Sequence, residues 1–194
     1  MEGGNRSAAS RAAGFVLVGG RSSRMGRDKA LLPAGSRTIA EQIAECVWRA
    51  VGNVTLIGDP NRYGFLGRSV IADELNGCGP MGGIYTALVH SPADWNLVVA
   101  CDMPGVTPDL LRALAEAAGR SRQNCVVCQG PGGIEPLCAV YHRRLLPALE
   151  SALRDMRLKM KDFLLGQDPE LWPVADASAL RNLNTPEEWR KEIA

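Results

Sequence analysis

The run Gly14-Phe-Val-Leu-Val-Gly-Gly-Arg-Ser-Ser-Arg-Met-Gly-Arg-Asp-Lys29 decides how this chain is read. Residues 14–18 form a short apolar stretch with the character of a buried first strand. That strand opens directly into a loop holding Gly19, Gly20 and Gly26, the guanidinium groups of Arg21, Arg24 and Arg27, and Lys29. Glycine lets a backbone turn sharply and bring bare N–H groups against a ligand. Arginine offers a planar fork to phosphate, and lysine a point charge. Strand, glycine loop and cations in this order predict a cradle for a nucleoside triphosphate.

Two commoner glycine loops are excluded by spacing. The dinucleotide fingerprint needs G-x-G-x-x-G, whereas Gly19 and Gly20 are adjacent. The P-loop needs Gly-Lys followed by Ser or Thr, but Arg27 follows Gly26, and Lys29 precedes Ala30.

Working outward, strands and helices alternate. Apolar residues at helical spacing predict a helix over 39–51, and strands are expected at 53–57 and 69–72. A helix over 81–90 and a buried strand over 95–100 follow. Thr107 should cap a helix over 108–119, ahead of strands at 124–128 and 136–141. Helices near 143–155 and 158–165, a short strand near 172–175 and a last helix from Pro186 complete the pattern. Such alternation implies an α/β fold, one domain over 14–194 with a mostly parallel sheet and helices on both faces. Residues 1–13, rich in Gly, Ser, Ala and Arg, read as a disordered leader.

At 194 residues the chain suits one domain with a full core. Lys+Arg number 22 against 21 Asp+Glu, so no general basic field invites nucleic acid. No apolar run approaches the length of a membrane span. The six cysteines show no disulfide framework. Cys125-Val-Val-Cys128 lies in an apolar, β-branched run without a second pair, which favours buried strand thiols in the reducing cytosol over a zinc site.

In a sheet of this type ligands sit beyond the carboxyl ends of the strands. Lys29, Asp73 and Asp102 all fall there. Asp102 emerges where the apolar run Leu97–Cys101 ends. It reads either as a Mg²⁺ ligand, one carboxylate alongside phosphate oxygens, or as the opener of the Met103-Pro104-Gly105 turn. Asp73 reads as a strand-end turn or as an acceptor for the adjacent N1–H and amine donors of guanine. Gly79, Gly82 and Gly83 would let backbone approach the ribose or base. Arg154, Arg157, Lys159 and Lys161 make a basic segment, either a solvated helix face or a seat for an anionic substrate. His90 and His142 fall at helix boundaries and read as structural.

These blocks resemble one family. Residues 17–29 are similar to the L-A-G-G-x-S-x-R-M-G-x-D-K motif of the molybdenum cofactor guanylyltransferases, with Val18 in place of Ala. Ile71-Ala-Asp-Glu74, Gly79-Pro-Met-Gly-Gly83, Ala100-Cys-Asp-Met-Pro104, Glu135-Pro136 and Asn182-Leu-Asn-Thr-Pro-Glu187 resemble its other blocks, in order, across 14–193. Sugar-nucleotide pyrophosphorylases carry a longer first motif ending in Pro-Lys. Glu135 departs from the family block, whose first position is often His.

The resemblance implies a Rossmann-like nucleotidyltransferase with one late antiparallel strand. It implies that Leu17, Val18, Gly19, Gly20, Lys29, Asp73, Gly79 and Asp102 contact the nucleotide, with Lys29, Arg24 and Asp102 catalytic and Mg²⁺ on Asp102. Arg154, Arg157, Lys159, Asn182 and Asn184 are implied to meet the pterin, and Asn182 or Asn184 is also a candidate second metal contact. The implied reaction is GMP transfer from GTP to the phosphate of molybdopterin or of its molybdenum-bearing form, the molybdenum cofactor, in the cytoplasm, with other cofactor-biosynthesis proteins and molybdoenzyme chaperones as candidate partners. A cytidylyltransferase acting on the same pterin is the closest rival. A nucleotide-binding module without catalysis is a rival of another class, against which Lys29 and Asp102 both stand.

Overall fold

Strand β1 (Ala12–Leu17) is buried along its whole length and begins two residues before the expected start. The structure is a computed structural model and describes residues 12–19, 28–183 and 188. The expected leader, apart from residues 12 and 13, and the last helix, apart from Glu188, lie outside the described residues. A 3-10 turn at Lys29–Leu31 follows the glycine-rich loop. Short strands β2 (Pro33–Ala34) and β3 (Arg37–Thr38) then pair as a ribbon.

Helix α1 (Ile39–Val51) falls where the spacing puts it, because both ends are specified locally. The Thr38 hydroxyl accepts the Glu41 N–H at 3.3 Å and the Glu41 carboxylate accepts the Thr38 N–H at 2.7 Å, a reciprocal cap. Gly52 closes the helix at φ 81°, a left-handed conformation that strains other residues. Next come β4 (Thr55–Ile57), α2 (Pro60–Tyr63), β5 (Ser69–Ile71), α3 (Gly79–His90), β6 (Trp95–Ala100) and α4 (Pro108–Ala118). Thr107 caps α4 as expected, accepting the Leu110 N–H at 3.2 Å. Hairpin strands β7 (Cys125–Gly130) and β8 (Gly133–His142), helices α5 (Leu146–Arg154) and α6 (Met160–Leu165), β9 (Glu170–Pro173) and a 3-10 turn at Ala177–Leu180 follow.

Several elements differ from expectation. The helix expected at 81–90 already starts at Gly79, and the one expected at 143–155 opens with a separate 3-10 turn at Arg143–Leu145. Helix α2 and the β2–β3 ribbon are too short to show a period in sequence.

Among the described residues seven strands form one sheet, in the order β5-β4-β1-β6-β8-β7-β9. β8 runs antiparallel to both neighbours, and the remaining pairings are parallel, which bears out the late antiparallel strand. Period-two alternation splits the apolar side chains between two cores. Val16, Leu97, Val99, Val126 and Val140 join α1 and α4 on one face. Phe15, Leu17, Val98, Val127 and Tyr141 join α3, α5 and α6 on the other.

Gly14 lets the end of α1 close over β1, since a Cβ there would overlap the Val51 side chain at 2.9 Å. Asn53 seals that junction, accepting the Gly14 N–H at 2.8 Å and donating to the Ala12 carbonyl at 2.9 Å. All six cysteines are free, and Cys125, Cys128 and Cys138 are buried in the hairpin, as strand thiols should be. Among the described residues no helix is long and apolar enough to cross a membrane.

Candidate active site

From β1 the chain moves outward in one direction to β4 and β5, and β6 lies on β1's other side. The strand order therefore reverses between β1 and β6, and the crevice at their carboxyl ends is where such sheets bind ligands. Leu17 pairs with Ala100 at the last rung, so the loops after β1 and β6 leave side by side. The Cys101 N–H extends that ladder to the Leu17 carbonyl at 3.3 Å, and the Val18 N–H reaches the Ile57 carbonyl at 3.0 Å.

Gly19 has φ 150°, and its Cβ position would lie 4.0 Å from the Gly58 Cα. Gly58 is equally constrained, because a side chain there would run into the Val18 carbonyl oxygen. Two glycine backbones thus meet where the nucleotide loop begins.

Lys29 and Asp102 meet at this edge through a third residue. The Lys29 ammonium donates to the Leu183 carbonyl at 3.3 Å, and the Leu183 N–H donates to the Asp102 carbonyl at 2.9 Å. One step earlier, the Asn182 amide donates to Glu135 Oε2 at 3.0 Å. Burial pushes the Asp102 carboxyl above its usual range; the Lys29 charge and its own backbone amide pull it down, and Glu135 pushes it up. Its Oδ1 is buried with no hydrogen-bond partner among the described residues. An orphaned carboxylate oxygen in a native fold asks for a ligand. A hard oxygen donor at the edge of a phosphate crevice fits a divalent cation.

Residues 14–170 match a family model described as the MobA-like NTP transferase domain. A probable molybdenum cofactor guanylyltransferase of Pelotomaculum thermopropionicum is 34% identical over 183 residues, covering 90% of this chain and 88% of that one. Another so named, from Flavobacterium johnsoniae, is 32% identical over 180 residues, covering 90% and 92%. The chain belongs to the MobA-like NTP transferase family. The fold agrees. The crystal structure of molybdopterin-guanine dinucleotide biosynthesis protein A from Archaeoglobus fulgidus superimposes with TM-score 0.80 at 24% identity, covering 93% of this chain and 96% of that one. A more distant neighbour from Mycobacterium tuberculosis (TM-score 0.70, 17% identity, covering 95% of this chain and 98% of that one) was crystallised with manganese.

Against the MobA-like motif, Leu17, Val18, Gly19, Lys29 and Asp102 gather at the switch point, whereas Gly20 and Arg24 lie outside the described residues. Asp73 follows β5, where its Oδ1 accepts the Leu75 N–H and lies within bonding distance of the Thr86 hydroxyl, each at 3.1 Å. That oxygen therefore ties the loop to α3. Gly79 opens α3 at φ 58°, and Gly82 admits the loop, since a Cβ there would sit 2.8 Å from the Leu75 carbonyl oxygen.

The pterin candidates separate. Asn182 lines a cleft of about 570 Å³ with Gly130, Glu135, Lys161 and Arg181. Arg157 and Lys159 line a different cleft, of about 630 Å³, between α5 and α6, and Arg157 pairs with Asp155 at 3.0 Å. Arg154 is exposed at the end of α5, and Asn184 lies outside the described residues.

Four participants escape a sequence reading: Leu183 through its backbone, Glu135 as the partner of Asn182, and Tyr63 with Arg62 around Asp28. For Glu135 a signal existed. Pro131-Gly132-Gly133 between two apolar runs marks a hairpin turn. The register then shifts after Val127 and sets Cys128 opposite Glu135, and irregularities of this kind re-aim side chains near sites.

Proposed function

We infer that this protein transfers the GMP moiety of GTP to the phosphate of molybdopterin, forming the guanine dinucleotide and releasing pyrophosphate. The observation that carries the reading is the convergence of Lys29 and Asp102 on Leu183 at the topological switch point of a MobA-like fold. An acceptor phosphate oxygen attacks the α-phosphorus in line and the bond to pyrophosphate breaks. Lys29 and Arg24 neutralise negative charge as it builds on the α-phosphate and the leaving group. Asp102 would hold Mg²⁺, which when bound supplies charge neutralisation at the phosphates. No side chain need act as a base, because the attacking phosphate is already largely ionised at neutral pH.

Val18 and Gly19 present backbone to the nucleotide, with Gly20 assigned to the same contact set, and Gly79 and the remaining oxygen of Asp73 face the base. The Glu135–Asn182 cleft, with Lys161 and Arg181 on its wall, is the better seat for the anionic pterin. It shares Asn182 and Glu135 with the Lys29–Asp102 cluster, whereas the cleft of Arg157 and Lys159 lies between α5 and α6. Free thiols throughout favour a reducing compartment such as the cytosol.

Base choice is the decisive test, because a cytidylyltransferase would use the same scaffold. With Mg²⁺ present GTP should raise the melting temperature well above CTP or ATP, since a ligand stabilises the state it binds. GMP should be the nucleotide transferred to molybdopterin. Equal or greater stabilisation and transfer with CTP would overturn the guanine assignment.

A further inference from the structure

Asp28 gathers three partners on one carboxylate. Its Oδ2 accepts the Tyr63 hydroxyl at 2.7 Å and pairs with Arg62 Nε at 2.8 Å. Its Oδ1 accepts the Ala30 N–H at 3.1 Å and so caps the 3-10 turn that carries Lys29. Hydrogen bonds to an ionised group are roughly twice as strong as neutral ones.

The donors come from α2, beyond β4, and the acceptor from the end of the nucleotide loop beyond β1. Tyr63 is 2% exposed, and its phenol is pushed far up, by burial first and by Asp28 next, so the hydroxyl remains a donor. Asp28 also lies close enough to Cys101 to help raise its thiol to about 12, behind burial and Asp102. The carboxylate therefore ties the loop end after β1 to α2, which follows β4.

We propose that Tyr63 and Arg62 are positioning residues for Lys29, acting through Asp28. The Leu183 carbonyl anchors the tip of the Lys29 side chain, and so flexible a stem meets that anchor in one geometry only if the backbone carrying it is held as well. The turn at 29–31 is a single turn closed by its own backbone bonds, and its leading Ala30 N–H takes a partner from the Asp28 side chain. Its N-terminus is pinned by Asp28, which is in turn pinned to a buried phenol and a guanidinium. Preorganised charge is what an electrostatic catalyst needs, since charge that must reorganise in the transition state loses its advantage. The inference rests on the nucleotidyl-transfer reading of Lys29.

A double-mutant cycle separates the two. Tyr63→Phe keeps the ring and removes one bond, while Arg62, with 54% of its side chain exposed, can become Gln without disturbing the core. Each variant is made alone and together with Lys29→Ala, and kcat and KM for GTP are measured with Mg²⁺. Tyr63→Phe should lower kcat roughly tenfold, about the worth of one bond to a charged group, with a smaller change in KM. Arg62→Gln should lower it less. In the Lys29→Ala background both effects should shrink below about twofold, because the group they aim is gone.

Unchanged kcat in both single variants overturns the inference. So does an equal loss in both backgrounds, which would mark a general structural role. Lys29→Ala alone reports on the other reading: near wild-type turnover there would bring down the catalytic assignment of Lys29, and the inference with it.

Discussion

The Lys29 ammonium reaches the carbonyl oxygen of Leu183 at 3.3 Å, joining residues 154 positions apart. Leu183 itself is fully buried and gives its N–H to the carbonyl of Asp102 at 2.9 Å. The backbone of Leu183 thus links the lysine that follows β1 to the main chain of Asp102 after β6. Leu183 therefore sits beside both candidate site residues, Lys29 and Asp102, which define the first predictions.

Lys29→Ala should lower GMP transfer by roughly two to three orders of magnitude, the usual loss when one preorganised donor is removed. The fold should persist, because Lys29 belongs to neither hydrophobic core. Steady-state kinetics beside a melting curve checks both halves. A variant that melts normally and turns over at near wild-type rate sinks the assignment.

Asp102→Asn keeps size and turn geometry but removes the charge a divalent cation needs, so metal-dependent transfer should collapse. The apo protein should melt no lower than wild type, since a buried carboxylate with an unpartnered oxygen contributes no stability. Titrating activity with Mg²⁺ for both proteins decides the matter. A superimposable curve for Asp102→Asn would leave Asp102 a turn residue.

Gly58→Ala should destabilise by about 1–3 kcal/mol, as overpacking does, because the new Cβ would strike the Val18 carbonyl and sit 2.9 Å from Tyr63 Cε2. Gly64→Ala nearby meets nothing within 4 Å at φ −59°, and should be neutral or slightly stabilising. Each kcal/mol lost should cost roughly 2–4 °C in melting temperature. Equal losses for the two variants would mean that the close approach at Gly58 carries no strain.

His142 gives the stability a pH dependence. Burial first, and then Arg144, hold its imidazole below the usual value; Asp94 opposes them, and Arg143 adds to them. Neutral Nδ1 accepts the Arg144 N–H at 3.1 Å, and the ring meets Trp95 edge-on at 4.7 Å. In the unfolded chain the imidazole titrates near its ordinary value of about 6.5. As pH falls past that value the unfolded state takes up the proton first, so stability declines until the folded imidazole also protonates. Above that window the contribution is complete. His142→Asn keeps a cap acceptor without the titration. Its melting temperature should therefore fall less steeply than wild type from about pH 7.5 to 5.5. Identical slopes would count against it.

Local patterns carried much of the fold. α1, the Thr107 cap, β6 and the buried cysteine strands were legible because period and caps are written in neighbouring residues. The glycine-rich loop reads as a phosphate cradle in sequence, but residues 20–27 lie outside the described residues. The direction of β8 could not be read from local pattern, since alternation of apolar residues is the same in parallel and antiparallel strands. That expectation came from family likeness.

The sequence by itself determined the alternating elements, the strand-end places of Lys29 and Asp102, and the family. Tertiary structure alone decided what those two residues touch. Leu183 meets Lys29 across 154 positions, Asn182 meets Glu135 across 47 and Tyr63 meets Asp28 across 35. Pairings at such separations leave no periodic trace in the chain, because they exist only after the sheet has closed and brought its strand ends together.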